Sequence, residues 1–117
     1  MESSMVNDEL FDNKHFLGYE EAKALISSYF KENIANCVLR DDQNYGMAFF
    51  LSFIGDNINV SFTSDRGDLT YVFMLNEKVV DLQNFEPLLK NIEWFSQKNI
   101  LFLLSTIKRF LLSQKLF

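Results

Sequence analysis

The fold of this chain is decided by residues 47–75, which read MAFFLSFI-GDN-INVSFT-SDRGD-LTYVFML. Three apolar runs are separated here by two short segments rich in Gly, Asp and Asn, which are the residues that tight turns favour. In the second run Ile58, Val60 and Phe62 alternate with polar residues, the pattern of a strand with one buried face. Because links this short join only antiparallel neighbours, the stretch predicts consecutive hairpins.

The same pattern continues on both sides of this stretch. Upstream, a short apolar run leads to a predicted turn at Asp41-Asp42-Gln43-Asn44-Tyr45, and downstream an Asn76-Glu77 turn leads to a short strand over residues 78–82. Residues 47–54 are apolar at consecutive positions, which predicts a strand that is central in the sheet or covered on both faces. The region as a whole predicts an antiparallel β-meander of three to five strands.

Apolar residues recur at helical spacing before and after the meander. The first such segment predicts a helix from Tyr19 to about Asn33. A second helix is predicted with Asn84 as its N-cap and Pro87 in its first turn, and a third from Ile100 onward. The predicted fold class is therefore α+β, with one N-terminal helix and two C-terminal helices packed on the meander.

Length and composition predict one domain over residues 1–117, with 13 Phe residues to build an aromatic core. Residues 1–14 are polar and unpatterned, so we expect a loose arm or a short irregular cap. The acidic N-terminus lacks the basic start and apolar block of a signal peptide, and no apolar run reaches the length of a membrane span. With a single cysteine and no disulfide framework, we expect a cytoplasmic protein.

The charge of the chain is acidic and uneven. It carries 16 Asp and Glu against 11 Lys and Arg, a net charge of −5, and the excess of carboxylates lies in residues 1–68. Such a protein repels a phosphate backbone, which argues against direct binding of nucleic acid. A cationic partner is favoured instead.

The sequence offers no set of catalytic residues, and we predict no enzyme activity, cofactor or metal. His15 and Cys37 are the only residues of their kinds, and they are interpreted as a solvated imidazole and a buried thiol rather than as a nucleophilic pair. An enzyme would need an internal cavity, with Tyr45 or Tyr71 and a turn aspartate as acid and base. The residues expected to line such a cavity are Phe49, Phe53, Phe62 and Phe73.

The small size, the acidic first half, the helix–meander–helix order and the Asp41–Tyr45 turn give this chain a resemblance to a known class. It resembles the immunity proteins encoded beside bacterial polymorphic toxins, including those of contact-dependent growth inhibition systems. The resemblance implies a protein that binds a basic toxin domain, such as a nuclease, and blocks it with an acidic, aromatic surface. The residues expected to contact that partner are Asp41, Asp42, Tyr45, Asp56, Asp65, Asp68 and Glu77.

A second interpretation rests on apolar residues that the last helix does not need for a single sheet contact. Leu101, Phe102 and Leu112 fall off the main apolar arc, and Leu116 and Phe117 end the chain. Exposed apolar surface of this kind is typical of an interface. The alternative is a small acidic secretion chaperone that holds an effector segment as a homodimer, and the sequence leaves monomer or homodimer open.

Overall fold

A computed structural model describes residues 11–34 and 36–114 of the chain. Helix α1 (Tyr19–Asn33) precedes five strands, and a short helix α2, a 3₁₀ helix and the long helix α3 follow them. The strands are β1 (Val38–Asn44), β2 (Ala48–Gly55), β3 (Ile58–Asp65), β4 (Asp68–Leu75) and β5 (Lys78–Val79), and the later helices are α2 (Leu82–Phe85), the 3₁₀ helix (Pro87–Asn91) and α3 (Gln97–Ser113). The predicted α+β architecture is confirmed.

The five strands form one antiparallel sheet in the order β1-β2-β3-β4-β5, so each strand pairs with its neighbours in sequence. The turns after β2, β3 and β4 each contain two residues. In the Arg66-Gly67 turn and the Asn76-Glu77 turn both residues have positive φ. That geometry is the type I′ turn, whose twist matches the twist of the flanking strands. The predicted hairpins are confirmed.

The core lies on one face of the sheet, beneath α1 and α3. Phe30 of α1 contacts Phe53 of β2, with ring centroids 4.9 Å apart, and Phe53 contacts Phe62 of β3 at 6.1 Å. The other side chains that fill this core include Ile26, Leu51, Val60, Phe73, Leu103, Leu104 and Ile107. The opposite face carries no helix in the part of the chain that the structure describes. Of the two possibilities predicted for residues 47–54, the central strand is found, since β2 pairs with both β1 and β3, whereas cover on both faces is not, because Ile54 is exposed on this open face.

Asp41 and Asp42 do not lie in a turn, as the sequence predicted, but within β1. The β1–β2 turn itself comprises residues 45–47. Strand β1 is an edge strand that pairs only with β2, and its register shifts between Leu39 and Asp41, which leaves Arg40 as a bulge. Charged side chains and a bulge are typical of an edge strand, because both oppose pairing with another chain.

The predicted helix beginning at Asn84 is broken into two short pieces. Asp81 caps α2 by accepting a hydrogen bond from Gln83 N at 3.0 Å, so Asn84 lies inside the helix rather than at its N-cap. Glu86 caps the 3₁₀ helix in the same way, through Leu88 N. The first of the two predicted C-terminal helices therefore exists only as α2 and the 3₁₀ helix.

The segment after the 3₁₀ helix is extended because it completes the edge of β4. Since β5 is only two residues long, most of that edge would otherwise have no partner. Leu69 N donates to Glu93 O at 3.0 Å, Phe95 N donates to Gly67 O at 2.7 Å, and Trp94 forms an isolated bridge with Asp68. These bonds hold residues 93–95 beside β4.

Residues 11–14 are irregular in structure and are held in place, and residues 1–10 of the predicted arm lie outside the described part. The buried side chain of Asn99 accepts a hydrogen bond from Asp12 N at 2.9 Å. Its amide nitrogen donates to Asp12 O, Asn13 Oδ1 and Trp94 O, each at 2.9 Å. A single buried amide thus ties the first described residues to the segment beside β4.

Candidate partner-binding site

The seven residues predicted to contact a partner lie in three separate places. The β1–β2 and β3–β4 turns are at one end of the sheet, and the β2–β3 and β4–β5 turns are at the other. An eight-residue strand spans roughly 25 Å, so the two ends are well separated. One end carries Tyr45, Asp65 and Asp68, the other carries Asp56 and Glu77, and Asp41 and Asp42 lie along β1. The seven side chains therefore do not form one continuous surface.

Asp42 is occupied within the protein. Its carboxylate accepts a hydrogen bond from the Tyr19 hydroxyl, and Lys23 Nζ lies 3.2 Å from Oδ2. The Tyr19 hydrogen bond, followed by the Lys23 ion pair, holds the pKa of Asp42 below its usual value. Because both partners belong to α1, this carboxylate connects the edge strand to the helix, and it is not available as an unpaired charge.

The end of the sheet that carries Tyr45 is a hydrogen-bonded layer of four segments that are distant in sequence. Arg66 N donates to Met47 O at 2.8 Å, which joins the two turns. The bond from Phe95 N to Gly67 O adds the segment beside β4, and a bond from Leu17 N to Phe95 O adds the residues before α1. We call the side chains displayed on this layer the turn-end surface: Phe16, Tyr45, Met47, Asp65, Arg66, Asp68 and Trp94.

Large apolar side chains project from the turn-end surface into solvent. Phe16, Tyr45 and Met47 are 63%, 71% and 73% exposed. The Phe16 ring stacks on Trp94, with centroids 6.5 Å apart and an angle of 22° between the planes. Tyr, Trp, Phe, Met and Arg are the residue types enriched where proteins bind one another, and Tyr, Trp and Arg carry most of the binding energy there. All five types are present on this surface.

Two carboxylates lie together on the same surface. Asp65 and Asp68 are directly opposite each other across β3 and β4, where they flank the Arg66-Gly67 turn, and both are exposed. Like charges at opposed positions destabilise a sheet, so this pair lowers the stability of the hairpin. A cationic group of a partner would relieve that repulsion on binding. Of the seven predicted contact residues, only Tyr45, Asp65 and Asp68 are therefore brought together.

The sequence did not identify Phe16, Met47 or Trp94 as site residues. The sequence predicts Met47 as the first residue of β2, whereas it lies in the turn before that strand. Phe16 and Trp94 are 78 positions apart, and no local pattern indicates that they meet. Their contact depends on the Asn99 hydrogen bonds, which only the folded chain displays.

Two open cavities lined by described residues both differ from the aromatic cavity that an enzyme would need. One, of about 670 Å³, includes Lys14, His15 and Lys90 in its lining, and the other, of about 550 Å³, includes Ile54 and Met74. The four phenylalanines considered for an internal cavity are instead packed in the core, each 5% exposed or less: Phe49, Phe53, Phe62 and Phe73.

His15 and Cys37 have the surroundings that the sequence predicted. The His15 side chain is exposed, with Nδ1 3.1 Å from the Asp12 carboxylate. Cys37 is buried, and burial raises the pKa of its thiol to about 11. Within residues 11–34 and 36–114, no three His, Cys, Asp or Glu side chains are grouped so as to hold a metal ion.

No protein-family model matches the chain, and no curated protein or solved structure matches it either. Among the residues that the structure describes, none of the helices combines the length and the apolar character that a bilayer crossing requires. The evidence for function therefore comes from the geometry of the turn-end surface.

Proposed function

We propose that this protein is a cytoplasmic immunity protein, which binds a cognate bacterial toxin domain through the turn-end surface and blocks it. The observation that supports the proposal is the combination, on one hydrogen-bonded layer, of exposed aromatic and Met side chains with a pair of opposed carboxylates. This combination suits recognition of a folded, basic protein.

The charge pattern supports a nuclease as the toxin. A nuclease cleft is lined with Lys and Arg that hold phosphate groups, and Asp65 and Asp68 present two negative charges at neighbouring positions. Complementary charges of this kind raise the association rate and fix the orientation of the partner. We therefore expect association with the toxin to slow as salt rises.

The rigidity of the turn-end surface supports tight binding. Gly67 is buried beneath Trp94, and the backbone bonds to Met47 and Phe95 hold the β3–β4 turn from both sides. Because the layer is fixed before binding, little conformational entropy is lost when the partner arrives. Tyr45 and Met47 then act as anchors that lose water in the complex.

The chaperone alternative is supported by Leu101 and Leu112 on α3, which are 36% and 52% exposed. The neighbouring evidence is weaker, since Phe102 is half-buried and packs edge-on against Phe11 with centroids 5.1 Å apart. Leu116 and Phe117 lie outside the described residues. The exposed apolar surface on α3 is thus smaller than the sequence suggested, and we rank this function second.

A survival assay tests the proposal. The toxin candidate is the C-terminal domain of the protein that the neighbouring gene encodes. This domain is expressed in bacteria from an inducible promoter. We expect the domain to stop growth when expressed alone and to be harmless when this protein is co-expressed. Growth arrest that co-expression does not relieve, or a neighbouring domain without toxicity, would contradict the immunity proposal.

Charge reversal at the two ends of the sheet gives a matched comparison within the same assay. The double variant Asp65→Lys/Asp68→Lys should fail to protect, because it replaces the paired carboxylates of the turn-end surface with cations. The control is Asp56→Lys/Glu77→Lys, which makes the same charge change at the other end of the sheet. We expect the control to protect as well as the unaltered protein.

A further inference from the structure

The open face of the sheet carries an apolar row that the turn-end surface does not use. Successive pairings across the five strands place Val38 beside Ile54, Ile54 beside Asn59, Asn59 beside Met74, and Met74 beside Val79. Val38 and Val79, at the two edges, are 62% and 70% exposed, and Ile54 is also exposed. We call these five side chains the apolar row.

The apolar row has the same pattern of apolar and amide side chains from either edge of the sheet. Two apolar residues lie on each side of a central amide, Asn59, which belongs to the middle strand. A two-fold axis along β3 would therefore place Ile54 of one copy over Met74 of the other, and Val38 over Val79. The same axis would place Asn59 opposite Asn59, where each amide can both donate and accept a hydrogen bond. Such self-complementarity is what a two-fold dimer interface requires.

We propose that the apolar row is a homodimer interface, in which a second copy of this chain packs face to face on the open sheet. The charges that flank the row also favour a second copy of this chain as the partner. Arg40 and Glu77 line one cavity with Ile54 and Met74, at opposite edges of the row. The two-fold axis brings Arg40 of one copy to the edge that carries Glu77 of the other, so the flanking charges are complementary between copies.

The size of the face limits the strength of this dimer. Four strands of seven or eight residues and the two-residue β5, about 4.8 Å apart, give a face of at most roughly 19 by 25 Å. The row occupies one end of that face, whereas Asp65 and Asp68 at the other end would repel their counterparts. The contact is thus smaller than the roughly 800 Å² per partner of a standard interface. We expect a dissociation constant in the micromolar range or weaker, so that monomer and dimer exchange.

Sedimentation velocity over a range from about 1 μM to 1 mM tests the proposal. The unaltered protein should shift with concentration from the 13.7 kDa mass of one chain toward twice that mass. Asn59→Asp places two carboxylates against each other at the axis and should raise the dissociation constant at least about tenfold, by like-charge repulsion. Val79→Asp should weaken the dimer as well, and since Val79 is largely exposed its replacement leaves the core untouched.

The control is Leu112→Asp, which puts the same charge on an exposed apolar residue of the helical layer and should leave the dimer unchanged. Cross-linking gives an independent readout. Asn59→Cys should yield a covalent dimer with a short bis-maleimide, whereas Leu112→Cys should not; Cys37 is buried and does not interfere. A monomer at every concentration would overturn the proposal. So would a dimer that Asn59→Asp leaves intact, or one that Leu112→Asp abolishes.

Discussion

The indole ring of Trp94 lies against the backbone of Gly67 so closely that a Cβ atom at position 67 would be 2.2 Å from the ring. Gly67 also has a φ of +94°, which side chains rarely tolerate. Two independent constraints therefore require glycine at this position. The contact fixes the β3–β4 turn beneath the Phe16–Trp94 stack and so determines how the turn-end surface is arranged.

Replacement of Gly67 by Ala should lower the free energy of unfolding by about 2 to 4 kcal/mol, the sum of a backbone cost near 1 kcal/mol and displacement of the ring. Gly46 is the matched control. It also has positive φ, +89°, but no atom lies within 4 Å of an added Cβ. Gly46→Ala should therefore cost only about 1 kcal/mol. Urea denaturation of both variants measures the difference. Equal losses of unfolding free energy would show that the Trp94 contact does not contribute to the cost at Gly67.

Replacement of Asn99 by Leu should destabilise the protein by about 3 kcal/mol, because Leu keeps the volume but leaves partly buried backbone groups of Asp12 and Trp94 without the Asn99 partner. Hydrogen exchange should also become faster in residues 11–17, which the Asn99 side chain holds in place. The control is Asn84→Ala in α2, where the side chain is exposed. Unchanged exchange in residues 11–17 would contradict the role given to Asn99.

The contribution of Asp42 to stability should disappear in acid. The folded state lowers the pKa of this carboxyl below 3.8, chiefly through the Tyr19 hydrogen bond and then through Lys23. The stabilisation is therefore fully present above the unfolded pKa, near 4, and is lost as the pH falls through the lower folded pKa. Unfolding free energies of the unaltered protein and of Asp42→Asn should differ at pH 7 and converge as the pH drops below about 4. A difference that stays constant across this range would exclude the ion pair as its cause.

The Cys37 thiol should be inert in the folded protein. With a pKa of about 11, raised by burial, about one thiol in a thousand is ionised at pH 8. Reaction with a chromogenic disulfide should therefore be slow in native buffer and become rapid in denaturant. A fast reaction in native buffer would show that the first residues of β1 open readily.

The sequence predicts the hairpins well because their signals are local. Ile58, Val60 and Phe62 alternate with polar residues, and the Arg66-Gly67 turn needs positive φ, so neighbouring residues alone indicate both the strands and the turns between them. The turn predicted at Asp41-Asp42 is wrong, because acidic residues favour turns but are equally suited to an edge strand. The identity of β1 as an edge depends on which strands pair, which is not a local property.

The break in the predicted second helix has a non-local cause as well. Residues 93–95 are extended and pair with β4 instead of continuing a helix. They can do so because β5 pairs with only part of the β4 edge. The turn-end surface follows from the same arrangement, since it brings Trp94 beside Phe16 and Gly67. Tyr45, Asp65 and Asp68 could be selected from the sequence as polar or aromatic turn residues, but their aromatic neighbours could not.

The central claim is that a toxin domain binds the turn-end surface, and the affinity of that domain for single variants tests it most directly. Calorimetric titration should show that Tyr45→Ala and Met47→Ala each raise the dissociation constant at least about tenfold, as expected for anchor residues, without loss of fold. Asp56→Lys, at the other end of the sheet, should leave the affinity unchanged. The account would be contradicted if Tyr45 and Met47 could be replaced without effect while a change at Asp56 or Glu77 weakened binding.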